Sequence, residues 1–441
     1  MLNRSKKIFL FISDLAFLHL ALFLTLVIRY QQNTWSENWR NHWPKFLPVF
    51  IIWLLILYIN DLYDLNLKAS SRKFLSRLSN TAIISSLLAT LYFYLRVSST
   101  ITPKTNLAIF SVIFIGLFYI FRLLYQTLLS SSQLTENLAI IGFNEKTEKI
   151  LAALQDRPGA GYSTALIFKT AEEVKSLEEN ISDKNIHTIV VCDDFGQGSK
   201  LNDILFSCLA YNLNFFNYPD FYELISGKIP VEEIGQNWFL ENLSEGSKNY
   251  FNFIKQIMDF SGALIVFLVS LVFWPLIALI IKLESRGPIF FRQKRLGKNE
   301  KVFNIIKFRT MREENNDRSL TIEGDSRITR FGSFLRRTRL DEIPQVLNIL
   351  RGEMSFIGPR PERPEIIAEL ENRIPFYKTR LLIKPGLTGW DQISGQYHSP
   401  SLEDSLEKLQ YDLYYLSHRS IYLDISIILK TLATVMSRGG R

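Results

Sequence analysis

The chain opens with MLNRSKKIFLFISDLAFLHLALFLTLVIRY, a basic start followed by a long apolar run. The run exceeds a signal-peptide core and lacks a small-residue cleavage site, so it reads as a membrane span. Asp14 and His19 lie inside it. Asp14 sits near the cytoplasmic end, where a helix–helix contact suits it better than a functional role. Further apolar runs occupy residues 46–59, 81–95 and 107–124. The first two are short for a bilayer, which leaves their ends soft. Arg4, Lys6 and Lys7 precede the first run, and Lys68, Arg72, Lys73 and Arg77 crowd one loop, while Arg96 and Lys104 alone serve the next. That asymmetry places the N-terminus in the cytoplasm and returns the chain there after Tyr125. None of these runs carries a chain of ionisable groups, which argues against a transporter.

The hydrophobic content of 47% and mean hydropathy of +0.07 sit above an ordinary soluble protein, and the length allows two or three domains. The net charge of +8 suits an anionic partner: nucleic acid, membrane surface or phosphorylated substrate. Cys192 and Cys208 have no metal-ligand spacing and read as free buried thiols in a reducing compartment. After a polar linker at 130–136, strand-like runs at 137–142, 186–192 and 213–216 alternate with helical patterns. They predict a small doubly wound, Rossmann-like α/β domain. Only Gly142 stands where a dinucleotide fingerprint needs three glycines, and Asn144 and Lys146 fill the following positions, so a structural or regulatory role is expected.

Chemistry concentrates in residues 338–363, TRLDEIPQVLNILRGEMSFIGPRPER. Asp341 and Glu342 open a short apolar helix, with Pro344 suited to its first turn and Gly352 to the position just past its end. Either Asp341 is the N-cap, or a capping box begins at Thr338. Both registers put the two acids beside free N–H groups, which favours their ionised forms. Adjacent helical side chains point about 100° apart, so the acids should do different jobs. A plainer reading has them cap the helix and pair with Arg337 and Arg339. Downstream, Pro359-Arg360-Pro361 forms a rigid turn that fixes one arginine, a planar fork suited to phosphate.

Other segments supply basic groups and turns. The apolar run 257–281 is long enough for a fifth span, but Pro275 interrupts it and both flanks are basic. It is expected to enter from the cytoplasm and return there. Arg292, Gln293 and Arg295 follow a turn, and the strand-like segment 302–309 delivers Lys307 and Arg309 on one side. Residues 315–326 form a polar loop, either a lid or plain disorder. In KPGLTGW, Lys384, Gly386, Thr388 and Gly389 build a glycine-punctuated turn whose amides suit an anion, and Trp390 either stacks on a base or packs. The segment 420–436 is amphipathic enough to lie on a membrane or close the core.

LDEIPQVLNILRGEMSFIGPRP resembles the signature of the bacterial polyprenyl-phosphate hexose-1-phosphate transferases, the monotopic phosphoglycosyl transferases. SRGPIFFRQKRLG, FNIIKFRTM and KPGLTGW extend the likeness over 251–441. Asp259 matches an acid of the pattern. Trp274 stands where serine often precedes the proline, and Asp391, Ser394 and Gln396 stand where alanine, asparagine and arginine are common, so sugar preference is not carried over. Together with the four apolar runs and the strand pattern upstream, the resemblance leads to a membrane protein of mixed α and α/β class in three parts. These are a four-helix transmembrane bundle (1–130), a Rossmann-like domain (131–250) and a monotopic catalytic domain (251–441) with a re-entrant helix at 257–281. It implies transfer of a hexose 1-phosphate from a UDP-sugar to polyprenyl phosphate with release of UMP, initiating exopolysaccharide, capsule or O-antigen synthesis. Asp341 would be the nucleophile and Glu342 would hold Mg²⁺, with Asp341 sharing the metal. Arg292, Gln293, Arg295, Lys307, Arg309, Pro359, Arg360, Pro361, Lys384, Gly386, Thr388 and Gly389 would bind substrate. The partners are then the lipid bilayer, the UDP-sugar and the polyprenyl phosphate, without nucleic acid; a homodimer is compatible. The catalytic domain would face the cytoplasm from the bacterial inner membrane. Two rivals are a membrane-bound NAD-dependent nucleotide-sugar dehydratase, for which no Tyr-x-x-x-Lys pair is found between Asn137 and Leu240, and a non-enzymatic membrane scaffold.

Overall fold

A computed structural model describes residues 2–30, 35–65, 67–95, 103–129, 135–170, 172–193, 200–211, 213–243, 248–312, 325–394 and 401–437. The loop expected at 315–326 falls almost wholly outside the described residues, as does Gln396. The chain forms two compact units, Met1–Ser226 and Gly227–Arg441.

The first unit begins with four apolar helices: α1 (Leu2–Arg29), α2 (Trp35–Ile59), α3 (Arg72–Leu95) and α4 (Pro103–Leu129). Helix α1 packs on α2 and α4, and α3 packs on the same two. Their shared core holds Phe46, Phe50, Trp53, Phe110, Phe114 and Phe118, each at most 1% exposed. The short runs at 46–59 and 81–95 lie inside longer helices that continue into polar sequence at their N-terminal ends. Asp14 and Arg122 form an ion pair at 2.8 Å between α1 and α4, so the acid in the first run is a helix–helix contact. Among the described residues five helices are long and apolar enough to cross a membrane, these four and Asn249–Leu271, and the protein is membrane-associated.

The same unit contains a parallel sheet of order β2-β1-β3-β4, built from β1 (Glu136–Ile141), β2 (Tyr162–Phe168), β3 (Ile186–Val191) and β4 (Asn214–Asn217). Leu138 and Ile140 enter the core on one face, Ala139 and Ile141 that on the other. Burial on both faces explains the unbroken apolar run of β1. Strand β2 is an edge strand with a half-exposed, polar first half, which hides it from hydrophobic pattern. Gly142 turns the chain from β1 into α5 (Glu145–Asp156) at φ +100°, and a Cβ there would lie 2.6 Å from that of Asp193. Asn144 then caps α5, accepting from the amides of Lys146 and Thr147. Two of the donors that a pyrophosphate would use at such a helix start are therefore taken by the chain itself.

The second unit begins with a strap that ends in a short helix, Gln236–Asn242. Ile229, Val231 and Ile234 from this strap are buried with Tyr377, Leu381, Leu409 and Leu413. Helix α6 (Asn249–Leu271) follows, and the chain breaks at Val272 and Phe273 before α7 (Trp274–Glu284). Pro275 lies in the first turn of α7, where a missing N–H costs nothing. Ser270, in the turn before Trp274, is bonded across the break. Its hydroxyl accepts from Trp274 Nε1 at 3.1 Å and donates to the Phe267 carbonyl. Trp274 also packs against Phe267, Phe290 and Phe308, so the tryptophan closes the break.

Candidate active site

An antiparallel hairpin, β5 (Phe290–Leu296) and β6 (Val302–Phe308), forms the floor of the site. Above it run α8 (Arg330–Arg337), a 3₁₀ turn (Leu340–Gln345) and α9 (Val346–Leu350). Asn348 fastens α9 to β6: its Oδ1 accepts from the Ile306 amide, and its Nδ2 donates to the Asn304 carbonyl and to Glu353. Gly352 ends α9 at φ +75°, in the left-handed conformation that favours glycine.

The two acids do not cap a helix. Arg339 precedes the 3₁₀ turn in a left-handed conformation (φ +58°), and no side chain caps the turn. Three residues per turn set neighbouring side chains about 120° apart. Glu342 Oε1 meets Lys307 Nζ at 2.6 Å and Arg360 Nη2 at 3.0 Å. Burial opposes its ionisation, but Arg360 and Lys307 outweigh that and hold its pKa far below the usual carboxylate range. Asp341 is equally buried, and its Oδ1 has no hydrogen-bond partner. Burial first, then the charge of Glu342, pushes its pKa up, against the fields of Lys307, Arg336 and Arg339. Burial also lowers the pKa of Lys307, with Glu342 acting in the opposite sense. The expectation that helix-end amides keep both acids ionised therefore needs correcting: Glu342 is held ionised by Arg360 and Lys307, with Arg339 further off at 4.0 Å, and Asp341 is held reluctant.

A small cleft beside the acids is lined by Arg295, Lys307, Gln345, Arg360, Pro361 and Gly386 among others. Glycines 358, 386 and 389 let the loop carrying Arg360 lie backbone to backbone on KPGLTGW, since a Cβ on any of them would come within 2.5 Å of facing backbone. Two of the amides expected to bind an anion are taken within the protein. Gly386 N donates to Pro359 O, and Gly389 N donates to Gln392 Oε1.

Several other anticipated residues are held by other partners or lie on other faces. Arg309 lies one residue past β6 and donates to the carbonyl and hydroxyl of Ser285, so it does not join Lys307 at the acids. Strand register puts Arg292 on the opposite face of the hairpin from Lys307. Gln293 accepts from Arg295 Nη2. Lys384 brings its ammonium beside Gly352, at the far end of α9. Thr388 Oγ1 bonds that of Thr431. Trp390 packs: it stacks on Tyr414, and its Nε1 donates to the Gly227 carbonyl. Asp259 accepts from the Phe356 amide, tying α6 to β7 (Ser355–Ile357), which pairs in parallel with β8 (Gly386–Thr388). The sequence gives no signal for Asn348 or for Arg336, whose pKa the Asp341 carboxylate raises against the larger effect of burial.

Among the described residues no three metal-ligating side chains converge. Two adjacent carboxylates, one with a buried oxygen lacking a partner, nevertheless fit Mg²⁺, which takes one or two carboxylates and completes its shell with phosphates and water.

The family description "bacterial sugar transferase" matches residues 250–438. Over 329 residues the chain is 33% identical to the UDP-glucose:undecaprenyl-phosphate glucose-1-phosphate transferase of Xanthomonas campestris pv. campestris, covering 69% of this chain and 67% of that protein. The chain belongs to the bacterial sugar transferase family. It is also 34% identical over 238 residues to the UDP-N-acetylgalactosamine-undecaprenyl-phosphate N-acetylgalactosaminephosphotransferase of Aeromonas hydrophila, covering 53% of this chain and 55% of that protein. An Escherichia coli K12 enzyme with the same name as the Xanthomonas protein is 27% identical over 307 residues, covering 67% of this chain and 66% of the other. The chain thus spans 55% of the Aeromonas relative and about two thirds of the other two. These bacterial sugar transferases differ in the sugar their names carry.

Proposed function

We propose that the protein is a phosphoglycosyl transferase that moves a hexose 1-phosphate from a UDP-sugar to polyprenyl phosphate at the cytoplasmic face of the bacterial inner membrane. The observation that carries this reading is the unequal acid pair: Glu342 is pinned by Lys307 and Arg360, while the adjacent Asp341 keeps a buried oxygen without a partner. A desolvated carboxylate in a field of cations suits a nucleophile. The Asp341 carboxylate attacks the phosphorus that bears the sugar, the bond from that phosphorus to the bridging oxygen breaks, and UMP leaves. An oxygen of the lipid phosphate then attacks the same phosphorus and releases Asp341, leaving the sugar on a polyprenyl diphosphate. Lys307 and Arg360 offset charge on the transferring group, where positioning and electrostatics supply most of the catalysis. Asp341 and Glu342 would hold Mg²⁺, which when bound offsets charge on the donor's diphosphate. The apolar pair α6 and α7 would enter the membrane and return, presenting the site to a lipid acceptor.

The test is transfer of radiolabelled sugar from a panel of UDP-sugars into a solvent-extractable polyprenyl product. One sugar or more should be transferred by the full chain and none by Asp341→Asn. Transfer by Asp341→Asn at the wild-type rate, or by neither protein with any UDP-sugar, would overturn the reading.

A further inference from the structure

Arg360 acts on Glu342 and the cleft from a segment with few ways to be held. Pro359 and Pro361 have no N–H, so much of the anchoring of this segment falls to its carbonyls. Four consecutive carbonyls each accept from a separate donor. Pro359 O accepts from Gly386 N at 2.9 Å, Arg360 O from Arg380 Nη2 at 3.2 Å, Pro361 O from Arg295 Nη1 at 3.0 Å, and Glu362 O from Leu296 N at 3.1 Å.

Arg380 is 3% exposed and lies on the 3₁₀ turn Tyr377–Leu382. Its Nη1 reaches Glu362 Oε1 at 3.0 Å and the Tyr377 hydroxyl at 2.6 Å, and its Nη2 reaches Asp412 Oδ2 at 2.8 Å. The Tyr377 hydroxyl in turn donates to Glu362 Oε2. Two carboxylates thus share one guanidinium, and burial, with the neighbouring charges of Asp391 and Glu362, pushes Asp412 up to about 7. A buried ionic cluster of this kind is a poor source of stability, because apolar residues of similar volume often do as well or better. What apolar residues would not supply is a fixed donor for the Arg360 carbonyl.

We propose that Arg380, held by Glu362, Tyr377 and Asp412, is a positioning residue for Arg360. It touches no substrate and acts by fixing the backbone from which Arg360 reaches Glu342 and the cleft. The planar fork matters, because one lysine ammonium does not reach both carboxylates and the carbonyl in that geometry. The inference rests on the reading of Arg360 as a charge-offsetting group.

The test uses the full chain in detergent. Arg380→Lys should lower kcat about 10- to 100-fold, the scale of a misplacement near 1 Å. Donor KM should stay within about 3-fold, and the unfolding midpoint should stay within a few degrees. In an Arg360→Ala background the same substitution should cause no further loss, since the two groups act as one unit. A second readout needs no turnover: hydrogen exchange at the Gly386 and Leu296 amides should quicken in Arg380→Lys without a change in global unfolding. If Arg380→Lys does not fold, Asp412→Asn should give the same kinetic and exchange changes in milder form. Wild-type kcat in Arg380→Lys, an equal fold-loss in both backgrounds, or unchanged exchange at those two amides would each overturn the proposal. Wild-type inactivity with every UDP-sugar would instead count against the proposed function, and the exchange readout would still decide the positioning role.

Discussion

Asp341 is costly to ionise where it stands, and its neighbour Glu342 is easy to ionise. Asp341 starts from a reference value of 3.8 and is pushed upward, and Lys307 starts from 10.5 and is pushed downward. Transfer needs Asp341 ionised and Lys307 protonated, so kcat/KM should rise through an acid limb above the ordinary aspartate range. It should fall through an alkaline limb below the ordinary lysine range. Lys307→Arg should move the alkaline limb upward in a pH–rate profile; an unmoved limb would remove Lys307 from that role. The same shifts act on stability in opposite senses. A raised carboxyl pKa means the folded state binds more protons than the unfolded one between the two pKa values, so the contribution of Asp341 falls as pH rises through that window. Glu342, shifted downward, stabilises above its unfolded pKa and loses that contribution as pH falls. At neutral pH Asp341→Asn should therefore raise the unfolding midpoint while removing activity, by roughly 2–4 °C if the relief is about 1 kcal/mol. A lowered midpoint in a thermal scan would contradict it. The acids, Lys307 and Arg360 were legible because each belongs to a short motif. Asn348 and Arg380 were not, because Asn304 and Asp412, which help to fix them, lie more than thirty residues away and no local spacing marks the pairs.

At the scale of elements, motif and fold have different boundaries. The motifs begin near residue 251, whereas the second compact unit begins at Gly227. The strap from Gly227 brings three buried apolar side chains, and its backbone is tied in through Ile229 N to Gln410 O and through Gly227 O, which accepts from Trp390. Fully burying each such side chain contributes up to about 1.5–3 kcal/mol. A chain starting at Gly227 should therefore unfold at a clearly higher temperature in detergent than one starting at Lys248, and the shorter one should lose transferase activity first on heating. Equal midpoints would show that the strap is dispensable. Pattern alone could not find this strap, since its apolar residues are spaced irregularly along a mostly non-helical segment. It could find the break at Pro275, because proline's missing donor acts locally. The bond from Trp274 to Ser270 depends on how the broken helix packs, and so lay beyond local pattern.

For the whole molecule, the net charge of +8 and the five long apolar helices among the described residues set the problem of sidedness. If α6 and α7 enter from the cytoplasm and return, both ends of the pair share one side with Asp341 and the nucleotide sugar. Single cysteines at Tyr250 and Arg286, both exposed, should be labelled by a membrane-impermeant thiol reagent only after lysis, in a chain lacking Cys192 and Cys208. Labelling of position 286 in intact cells would place the end of α7 outside and defeat the re-entrant arrangement. A phosphosugar carried on Asp341 can be tested more directly. The full chain is mixed with UDP-sugar carrying ³²P in the phosphate next to the sugar, without lipid acceptor, quenched and digested. Release of UMP with label on the peptide that contains Asp341, absent in Asp341→Asn, is the predicted result. UMP release that requires polyprenyl phosphate, with no label on the protein, would contradict it.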